Sequence, residues 1–220
     1  MIPVLAVPVL LPHLLPRMLA SIDVPVEQLL VIDNGAHVDA DRGHVIRMPG
    51  NLGIGASWNL AMKATPWAEW WAHINDDVIF APGDLEKLAV AMADPAPHIA
   101  TLDGFSAFGI NRATLEAVGW FDENFHPAYL EDCDYRWRCH LADVPIVEIE
   151  ARLRHDRSST IADPFYGDQN SRTYRLNYDL YLDKWGGRAM GGERYAEPFN
   201  GMTDDHLCIE RLKDQAWKVK

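Results

Sequence analysis

The chain is poor in cysteine, with only three in 220 residues, at positions 133, 139 and 208. Cys133 and Cys139 are six residues apart, a spacing that matches neither a CxxC pair nor another common metal-finger pattern. An odd number of cysteines at these spacings predicts free thiols in a reducing compartment. A disulfide framework and a zinc finger are both poor interpretations.

Targeting and membrane-spanning signals are also missing. The N-terminal segment MIPVLAVPVLLPHLL is apolar, but no Lys or Arg precedes Arg17, and prolines interrupt the run. A secretory signal needs a positively charged start and a small-residue cleavage site. A transmembrane helix needs about 20 apolar residues without such breaks. We therefore expect a soluble, cytoplasmic protein without a transmembrane segment.

Positive charge is scarce, because 20 Lys and Arg residues stand against 32 Asp and Glu residues, for a formal net charge of −12. Proteins that bind nucleic acid through bulk charge need a basic surface, so this balance argues against that class, although a local basic groove stays possible. The hydrophobic fraction of 48% and the charged fraction of 24% are those of an ordinary globular protein. These fractions exclude a disordered chain and a coiled coil, and the length suits one sizeable domain.

The first half of the chain alternates between strand-like and helix-like segments. Ile2–Val9 is apolar and rich in β-branched residues, as in a strand buried on both faces, and Leu11–Ile22 has apolar residues at helical spacing. The alternation continues through strands at Gln28–Asp33, His44–Met48 and Trp70–Ile74 and helices at Ala56–Ala64 and Leu85–Ala93. This rhythm predicts an α/β fold with a mostly parallel central sheet flanked by helices. Ligands of such sheets bind beyond the carboxyl ends of the strands.

The second half is less regular. Its patterns predict strands at Phe105–Ile110 and Val144–Glu150, a loop at Arg154–Asp163, and helices at Arg112–Val118, Glu131–Leu141, Asn170–Trp185 and Asp205–Trp217. No internal repeat, low-complexity linker or clear domain boundary is visible.

Two acids and an amide, Asn75-Asp76-Asp77, directly follow the predicted strand Trp70–Ile74. Oxygen ligands of this kind suit a hard divalent cation that keeps substrate phosphates as further ligands. A turn with solvated acids would have the same composition. The motif alone therefore leaves both interpretations open.

A second acidic group, Glu131-Asp132-Cys133-Asp134, opens a predicted helix. Acids in a first helical turn stabilise the helix through its dipole, which is the structural interpretation. The functional interpretation is that a carboxylate on a rigid helix start serves as a general base. Glu131 and Asp134 share one face of the helix while Asp132 points elsewhere, so one acid can do chemistry while its neighbours bind or cap.

Two further signals are weaker. His155 lies in a polar segment after a predicted strand, where a histidine is either ordinary surface or a ligand for a divalent cation such as manganese. Asn51-Leu-Gly-Ile-Gly55 leads into a helix and can cradle a phosphate or a base at the helix N-terminus. It contains neither GxGxxG nor a GK[ST] ending, so neither a Rossmann dinucleotide motif nor a P-loop is supported.

The order of these signals resembles that of the family 2 glycosyltransferases of the GT-A fold, including small phage and bacterial members. The resemblance runs from about Ile2 to Gly187 and rests on VIDNG (31–35), NLGIGASWN (51–59), INDDVIF (74–80), AYLEDCDYRWR (128–138) and the histidine at 155. It implies one GT-A domain over residues 1–190, with a Rossmann-like donor-nucleotide half at about 1–100 and an acceptor and catalytic half at 101–190. Residues 191–220 are then a C-terminal extension.

The resemblance implies a role for each matching residue on the donor side. Asp33 matches the acid that holds the nucleobase or ribose, and Asn51 and Gly53 match the same nucleotide wall. Asn75 and Asp76 match the family's DXD-type motif, with Asp76 facing the ribose or sugar.

Four further residues match the family's metal-binding and catalytic positions. Asp77 corresponds to the acid that binds the metal, and His155 to the histidine that completes the metal site. Asp132 matches the catalytic base of the family's ED motif, and Glu131 orients the acceptor or the sugar. The motif departs from a strict DXD because Asn75 supplies a neutral side chain.

The implied activity is transfer of a hexosyl or pentosyl group from a nucleoside diphosphate sugar to an acceptor hydroxyl, with inversion and with Mn²⁺ or Mg²⁺ as the divalent cofactor. Two other function classes stay open. One is a non-catalytic glycan- or partner-binding module on the same fold. The other is a sugar-phosphate nucleotidyltransferase, which would want a basic, glycine-rich loop where the chain has Val9–Pro16. The acceptor (a glycan, a small molecule, or a modified nucleic acid or protein) and the oligomeric state are left open.

The acceptor half is rich in aromatic and basic residues. Sugars stack on aromatic rings, and arginines can neutralise a diphosphate or an anionic acceptor, but core packing and a solvated face are the simpler interpretations. The aromatic candidates are Tyr129, Trp137, Tyr166, Tyr174 and Trp185, and the basic ones are Arg152, Arg154, Arg157, Arg172 and Arg175.

Overall fold

The computed structural model describes residues 1–39, 41–156 and 166–201, with side chains to residue 199. The strands are β1 Ile2–Val9, β2 Val26–Asp33, β3 His44–Arg47, β4 Trp70–Ile74, β5 Val78–Ile79, β6 Ile99–Thr101, β7 Ala107–Asn111, β8 Ile146–Glu148 and β9 Arg154–His155. The helices are α1 Leu15–Ala20, α2 Ile54–Ala64, α3 Asp84–Ala91, α4 Arg112–Val118, α5 Glu131–Leu141 and α6 Gly167–Trp185, followed by a 3₁₀ turn at Pro198–Gly201.

Seven strands form one mixed sheet in the order β3-β2-β1-β4-β7-β6-β8. The first four are parallel neighbours, β7 runs antiparallel to β4 and β6, and β8 is parallel to β6. The predicted α/β fold with a mostly parallel sheet is confirmed. The exception, β7, follows β6 after a short connection, and a short connection permits only antiparallel pairing, whereas parallel strands need a longer crossover.

Helices cover both faces of this sheet. Along β1, Leu5 and Val7 point into the cluster that α1 and α3 cover, and Val4 and Ala6 point into the cluster that α2 and α5 cover. All four side chains have 0% exposure, which explains why the strand is a continuous apolar run without polar alternation. In the described part of the chain, no helix has both the length and the hydrophobicity that crossing a membrane requires.

Helix α6 packs outside these two layers, and a buried ionic network fastens it. The Lys184 ammonium lies 2.6 Å from an oxygen of Asp122 and 2.6 Å from Oδ1 of Asp134 in α5. Trp185 Nε1 donates to the same Oδ1 at 2.8 Å, and Arg138 Nε donates to Asp134 Oδ2 at 2.9 Å. The network ties the end of α6 to α5, whose first turn carries the acids of the ED motif.

The start of the first helix was predicted wrongly. In a helix that begins at Leu11, residue 16 would have to donate its N–H to the carbonyl of Pro12, and Pro16 has no N–H. The structure instead forms a turn in which Leu14 N donates to Leu11 O at 3.0 Å. Helix α1 then begins at Leu15, with Pro16 in its first turn.

The segment 154–163, predicted as a loop, begins with a strand. β9 pairs antiparallel with β5, so that Val78 lies opposite His155 and Ile79 opposite Arg154. Two-residue strands are too short to show the alternation of period two, so the sequence contains no signal for them. Arg157, Cys208 and the predicted helix at 205–217 lie outside the described residues.

Candidate functional site

A cavity of about 620 Å³ opens at the carboxyl edge of the parallel strands. Leu10, Asn34 and Asn75 line it, and each directly follows a parallel strand, β1, β2 and β4 respectively. The opposite wall is formed by the segment that leads into α5 and by one face of α6. Parallel strands end at the same edge of a sheet, which is why these distant segments of sequence meet.

The Asn75–Asp77 segment lines this cavity with all three side chains. Asn75 Oδ1 is buried and has no hydrogen-bond partner among the described residues. Asp76 Oδ2 accepts from the backbone N–H groups of Leu10 at 3.3 Å and Leu11 at 3.4 Å, which ties the end of β4 to the end of β1. Burial, and then the neighbouring charge of Asp77, raise the pKa of Asp76 to about 7.

Asp77 meets His155 through the pairing of β5 with β9. Asp77 Oδ1 lies 3.2 Å from His155 Nε2, and the backbone N–H of Asp156 donates to the carbonyl of Asp77 at 3.1 Å. Asp77 Oδ1 is nonetheless buried without a hydrogen-bond partner in the described part of the chain, because the contact lacks hydrogen-bond geometry. The interaction with Asp77 is the largest influence on the pKa of His155, which lies above its ordinary value although burial opposes the rise.

A second carboxylate holds the other side of the same ring. His155 Nδ1 is 2.6 Å from Asp103 Oδ2. A carboxylate at this position holds a proton on Nδ1, so that Nε2, which faces Asp77, is the nitrogen that could bind a cation after losing its own proton. The sequence analysis missed Asp103, whose one local signal is the Asp-Gly pair after β6.

The Asp77–His155 pair fits two ligands of one divalent cation. Two neighbouring ligands roughly 2.1 Å from an octahedral ion lie about 3.0 Å apart, close to the distance between Asp77 Oδ1 and His155 Nε2. No group of three His, Cys, Asp or Glu side chains within the described residues is arranged to hold a metal ion. The described residues would thus supply two ligands and leave other positions to water or substrate phosphates, which is how Mg²⁺ commonly binds.

The acids at the start of α5 line the opposite wall. Glu131 is 6% exposed, and its Oε2 has no hydrogen-bond partner among the described residues. Burial, and then the charge of Asp132, raise the pKa of Glu131 well above its ordinary value, which favours its neutral form. Burial and Asp132 also raise the pKa of Cys133 to about 12, so that its thiol stays protonated. Asp132 itself is partly exposed and lines the cavity.

The turn before these acids has a strained backbone. Tyr129 and Leu130 have φ angles of 79° and 72°, in the left-handed region that costs a non-glycine residue about 1 kcal/mol or more. The Asn177 amide of α6 donates to the carbonyls of Ala128 at 2.8 Å and Tyr129 at 3.1 Å. These bonds hold the turn, and with it the first residues of α5, against α6.

The structure does not bring Asp33 to the cavity. Its carboxylate is 2% exposed and accepts from the backbone N–H groups of Ala36 at 2.8 Å and Val38 at 3.0 Å and from Arg47 at 3.0 Å. The next residue, Asn34, lines the cavity instead, although in the sequence it was named only within the VIDNG motif. The predicted contact of Asp33 with a nucleobase or ribose has no support in this arrangement.

Asn51 lines the cavity, whereas Gly53 packs behind it. Gly53 has a φ of 89°, and a Cβ added there would lie 3.0 Å from the carbonyl oxygen of Pro127. The close approach lets Ile54 N donate to that oxygen at 2.8 Å, while His126 Nε2 lies 3.1 Å from the carbonyl oxygen of Asn51. The glycine therefore joins the 51–54 loop to the segment that leads into α5.

Only some of the aromatic and basic candidates reach the cavity. Tyr129 and Tyr174 line it, and so do Tyr178 and Arg188, which the sequence analysis did not single out. Candidates that do not line it are Trp137, Tyr166, Trp185, Arg152, Arg154, Arg172 and Arg175.

Comparisons with known proteins agree with this architecture. No family model matches the chain. The crystal structure of TarS from S. aureus superposes with a TM-score of 0.51 and 15% identity, covering 83% of this chain and 40% of the TarS chain. A galactofuranosyl glycosyltransferase of Leishmania donovani is 50% identical over 36 residues, 16% of this chain and 8% of that protein. The chain thus spans less than half of either protein, and the predicted GT-A glycosyltransferase fold is confirmed.

Proposed function

We propose that this protein is an inverting glycosyltransferase that moves a sugar from a nucleoside diphosphate donor to an acceptor hydroxyl with the help of a divalent cation. One observation carries the proposal. The Asp77–His155 pair, which fits a cation, and the acid Asp132, which can take a proton, line the same cavity at the ligand-binding edge of a GT-A sheet. A non-catalytic binding module would not need both a cation site and a proton-accepting acid in one cavity.

The donor would lie along the carboxyl ends of β1, β2 and β4. Asn34, Asn51 and Asn75 line this part of the cavity. The Asn34 amide is bonded to Ser57 and the backbone of Leu52, whereas Asn75 Oδ1 has no partner among the described residues. Asp76 faces the ribose or the sugar from the same edge. Asp33 then acts indirectly, because its bonds to Ala36 and Val38 shape the turn that follows Asn34.

Mn²⁺ or Mg²⁺, when bound, supplies a Lewis acid that stabilises the leaving diphosphate. Asp77 and His155 would hold the cation, and Asp103 keeps the His155 ring in the orientation and tautomer that a ligand needs. An acid and an imidazole, with no third ligand among the described residues, leave room for phosphate oxygens and accept either ion.

Asp132 serves as the general base in this proposal. It takes the proton of the acceptor hydroxyl while the hydroxyl oxygen bonds to the anomeric carbon and the bond from that carbon to the diphosphate oxygen breaks. A single displacement of this kind inverts the anomeric configuration. Retention of configuration by double displacement needs a nucleophile on the protein. Glu131 and Cys133, the neighbours of Asp132, favour their neutral, protonated forms, which are poor nucleophiles. Neutral Glu131 can donate a hydrogen bond to the sugar or the acceptor.

The two halves predicted from the sequence, about 1–100 and 101–190, would act together, because residues of both line the cavity. The cytoplasmic location stays a prediction. The free thiols of Cys133 and Cys139 support it, because cysteines remain reduced in that compartment.

A thermal-shift screen with UDP-, GDP-, dTDP- and CDP-sugars tests the donor site. At 100 times its dissociation constant, a donor stabilises a protein by about 2.7 kcal/mol, which for this length raises the Tm by roughly 5–10 °C. We expect one donor to do so with Mn²⁺, and EDTA or Asp77→Asn to abolish the shift. The exposed Asp41→Asn, ahead of β3, is the control. A screen in which no donor gives a cation-dependent shift would contradict the proposal.

Asp103→Asn should weaken Mn²⁺ binding by about 10- to 100-fold, because the asparagine no longer fixes the tautomer and orientation of His155. Electron paramagnetic resonance of free Mn²⁺ measures this affinity without any reaction. The Asp41→Asn protein is again the control. Equal Mn²⁺ affinity in the Asp103→Asn and wild-type proteins would remove Asp103 from the cation site.

A further inference from the structure

Three tyrosines form a wall of the cavity next to the α5 acids. Tyr174 and Tyr178 are one turn apart on α6, with ring centroids 6.2 Å apart and planes 18° from parallel. Tyr129, three residues before Asp132, meets Tyr174 edge-on at 5.7 Å and 72°. We name these residues the tyrosine row. They place contiguous aromatic surface beside the proposed base.

The tyrosine row is built for contact with something outside the protein. Tyr174 is 47% exposed although it is a large aromatic residue. None of the three phenol hydroxyls hydrogen-bonds to another described residue. Asn177 fastens the backbone of Tyr129 to α6, the helix that carries the other two tyrosines. Rings whose hydroxyls have no partner among the described residues present both an apolar face and polar edges.

We propose that the tyrosine row binds the acceptor and that the acceptor is a saccharide, an inference that rests on the proposed function. The C–H bonds on one face of a pyranose or furanose carry partial positive charge and pack against the negative face of an aromatic ring. The hydroxyls around the sugar ring can pair with the phenol groups at the edges of the row. A sugar seated there presents hydroxyls to the neighbouring Asp132.

The charges of the cavity wall favour a saccharide over a nucleic acid, whose bases also stack on tyrosine. Phosphates need several cations nearby, and Arg188 is the one Arg or Lys among the described residues that line the cavity. Four acids line the same cavity: Asp76 and Asp77 at the strand ends, and Asp132 and Glu131, which favours its neutral form, on the opposite wall. A neutral sugar avoids the repulsion that a phosphodiester backbone would meet.

Saturation-transfer NMR tests the row with the full-length protein and no donor. The probes are the methyl glycosides of glucose, galactose, mannose and N-acetylglucosamine, and a short oligothymidylate. At least one glycoside should bind, with an affinity about tenfold weaker in Tyr174→Ala because one stacking ring is lost. Tyr174→Phe should retain part of that affinity. Leu176→Ala is the control, because Leu176 is 39% exposed on the same helix and does not line the cavity.

The possible results separate this inference from the proposed function. Donor-dependent thermal stabilisation should be the same in the wild-type and Tyr174→Ala proteins, because the row does not touch the donor. If no glycoside binds, or if Tyr174→Ala and Leu176→Ala bind it equally well, the acceptor assignment is overturned while the donor site stands. Binding of oligothymidylate alone, lost in Tyr174→Ala, would overturn the saccharide in favour of nucleic acid. Loss of donor stabilisation in Tyr174→Ala would show that the row belongs to the donor site.

Discussion

Replacing Asp132 by asparagine should lower turnover by roughly 10²–10⁴-fold and leave donor-dependent thermal stabilisation intact. The asparagine side chain has nearly the same shape but cannot take the proton of the acceptor hydroxyl. Asp132 is partly exposed at the cavity wall, so the substitution does not leave a buried charge without a partner. Initial rates with saturating donor and acceptor measure the effect.

The neighbouring Glu131→Gln is the matched control for this experiment. The pKa of Glu131 is already raised well above its ordinary value by burial and by Asp132, so glutamine resembles the form that the native side chain favours. We expect a loss of less than about tenfold, because no base is removed. If Asp132→Asn transfers sugar at the wild-type rate, another group takes the proton. If Glu131→Gln is the more damaging variant, the two roles are exchanged.

Lys184→Met should lower the free energy of unfolding by about 3 kcal/mol, the low end for a broken buried ion pair, because partly buried Asp122 loses its cation while buried Asp134 keeps Arg138. Methionine has a similar length, so packing of the stem is largely kept. Urea denaturation at neutral pH measures the change. The control is Lys63→Met, whose partner Glu123 and whose own side chain are 47% and 53% exposed, and which should cost about 0–1 kcal/mol.

The pH dependence of the same network follows from Asp122. Burial alone would raise the pKa of its carboxyl, but the charge and hydrogen bond of Lys184 outweigh burial, and the pKa lies below its ordinary value. A carboxyl whose pKa is lower in the folded than in the unfolded protein contributes its full stabilisation at a pH above the unfolded pKa, about 4. This stabilisation disappears as the pH falls through the pKa of the folded protein. The stability difference between wild type and Lys184→Met should therefore shrink below about pH 4. A constant difference down to pH 2 would contradict this account of the network.

The sequence predicted the elements that apolar periodicity specifies. β1 is a continuous apolar run and β4 is apolar apart from the buried His73, because both faces of these strands are buried, and α2 and α5 have clear helical spacing. It also located the acids that follow strands and open helices, because such positions coincide with the ligand-binding edge of a parallel sheet. Asn75–Asp77 and Asp132 line one cavity for this reason.

Features that depend on tertiary contacts could not be predicted from the sequence. Asp33 has the same sequence context whether its carboxylate faces a ligand or, as here, accepts hydrogen bonds from the turn beyond it. Asp103 was identified only from its distance to His155 in the structure. Tyr178 was identified only because it lies on the face of α6 that lines the cavity. Pairing of β5 with β9 depends on two residues in each strand, which is fewer than any periodic pattern needs.

The short pairing of β5 with β9 makes the proposed cation a reversible cross-link. Asp77 directly precedes β5 and His155 belongs to β9, so opening the pairing separates the two ligands, and a bound ion closes the chain from residue 77 to residue 155. Because both ligands lie together only in the paired form, a bound ion would stabilise that form by mass action. The ion would therefore oppose the separation of the segment that carries Asp77 from the strand that carries the histidine. Hydrogen exchange at the backbone amide of Asp156, which donates to the carbonyl of Asp77, would report that opening directly.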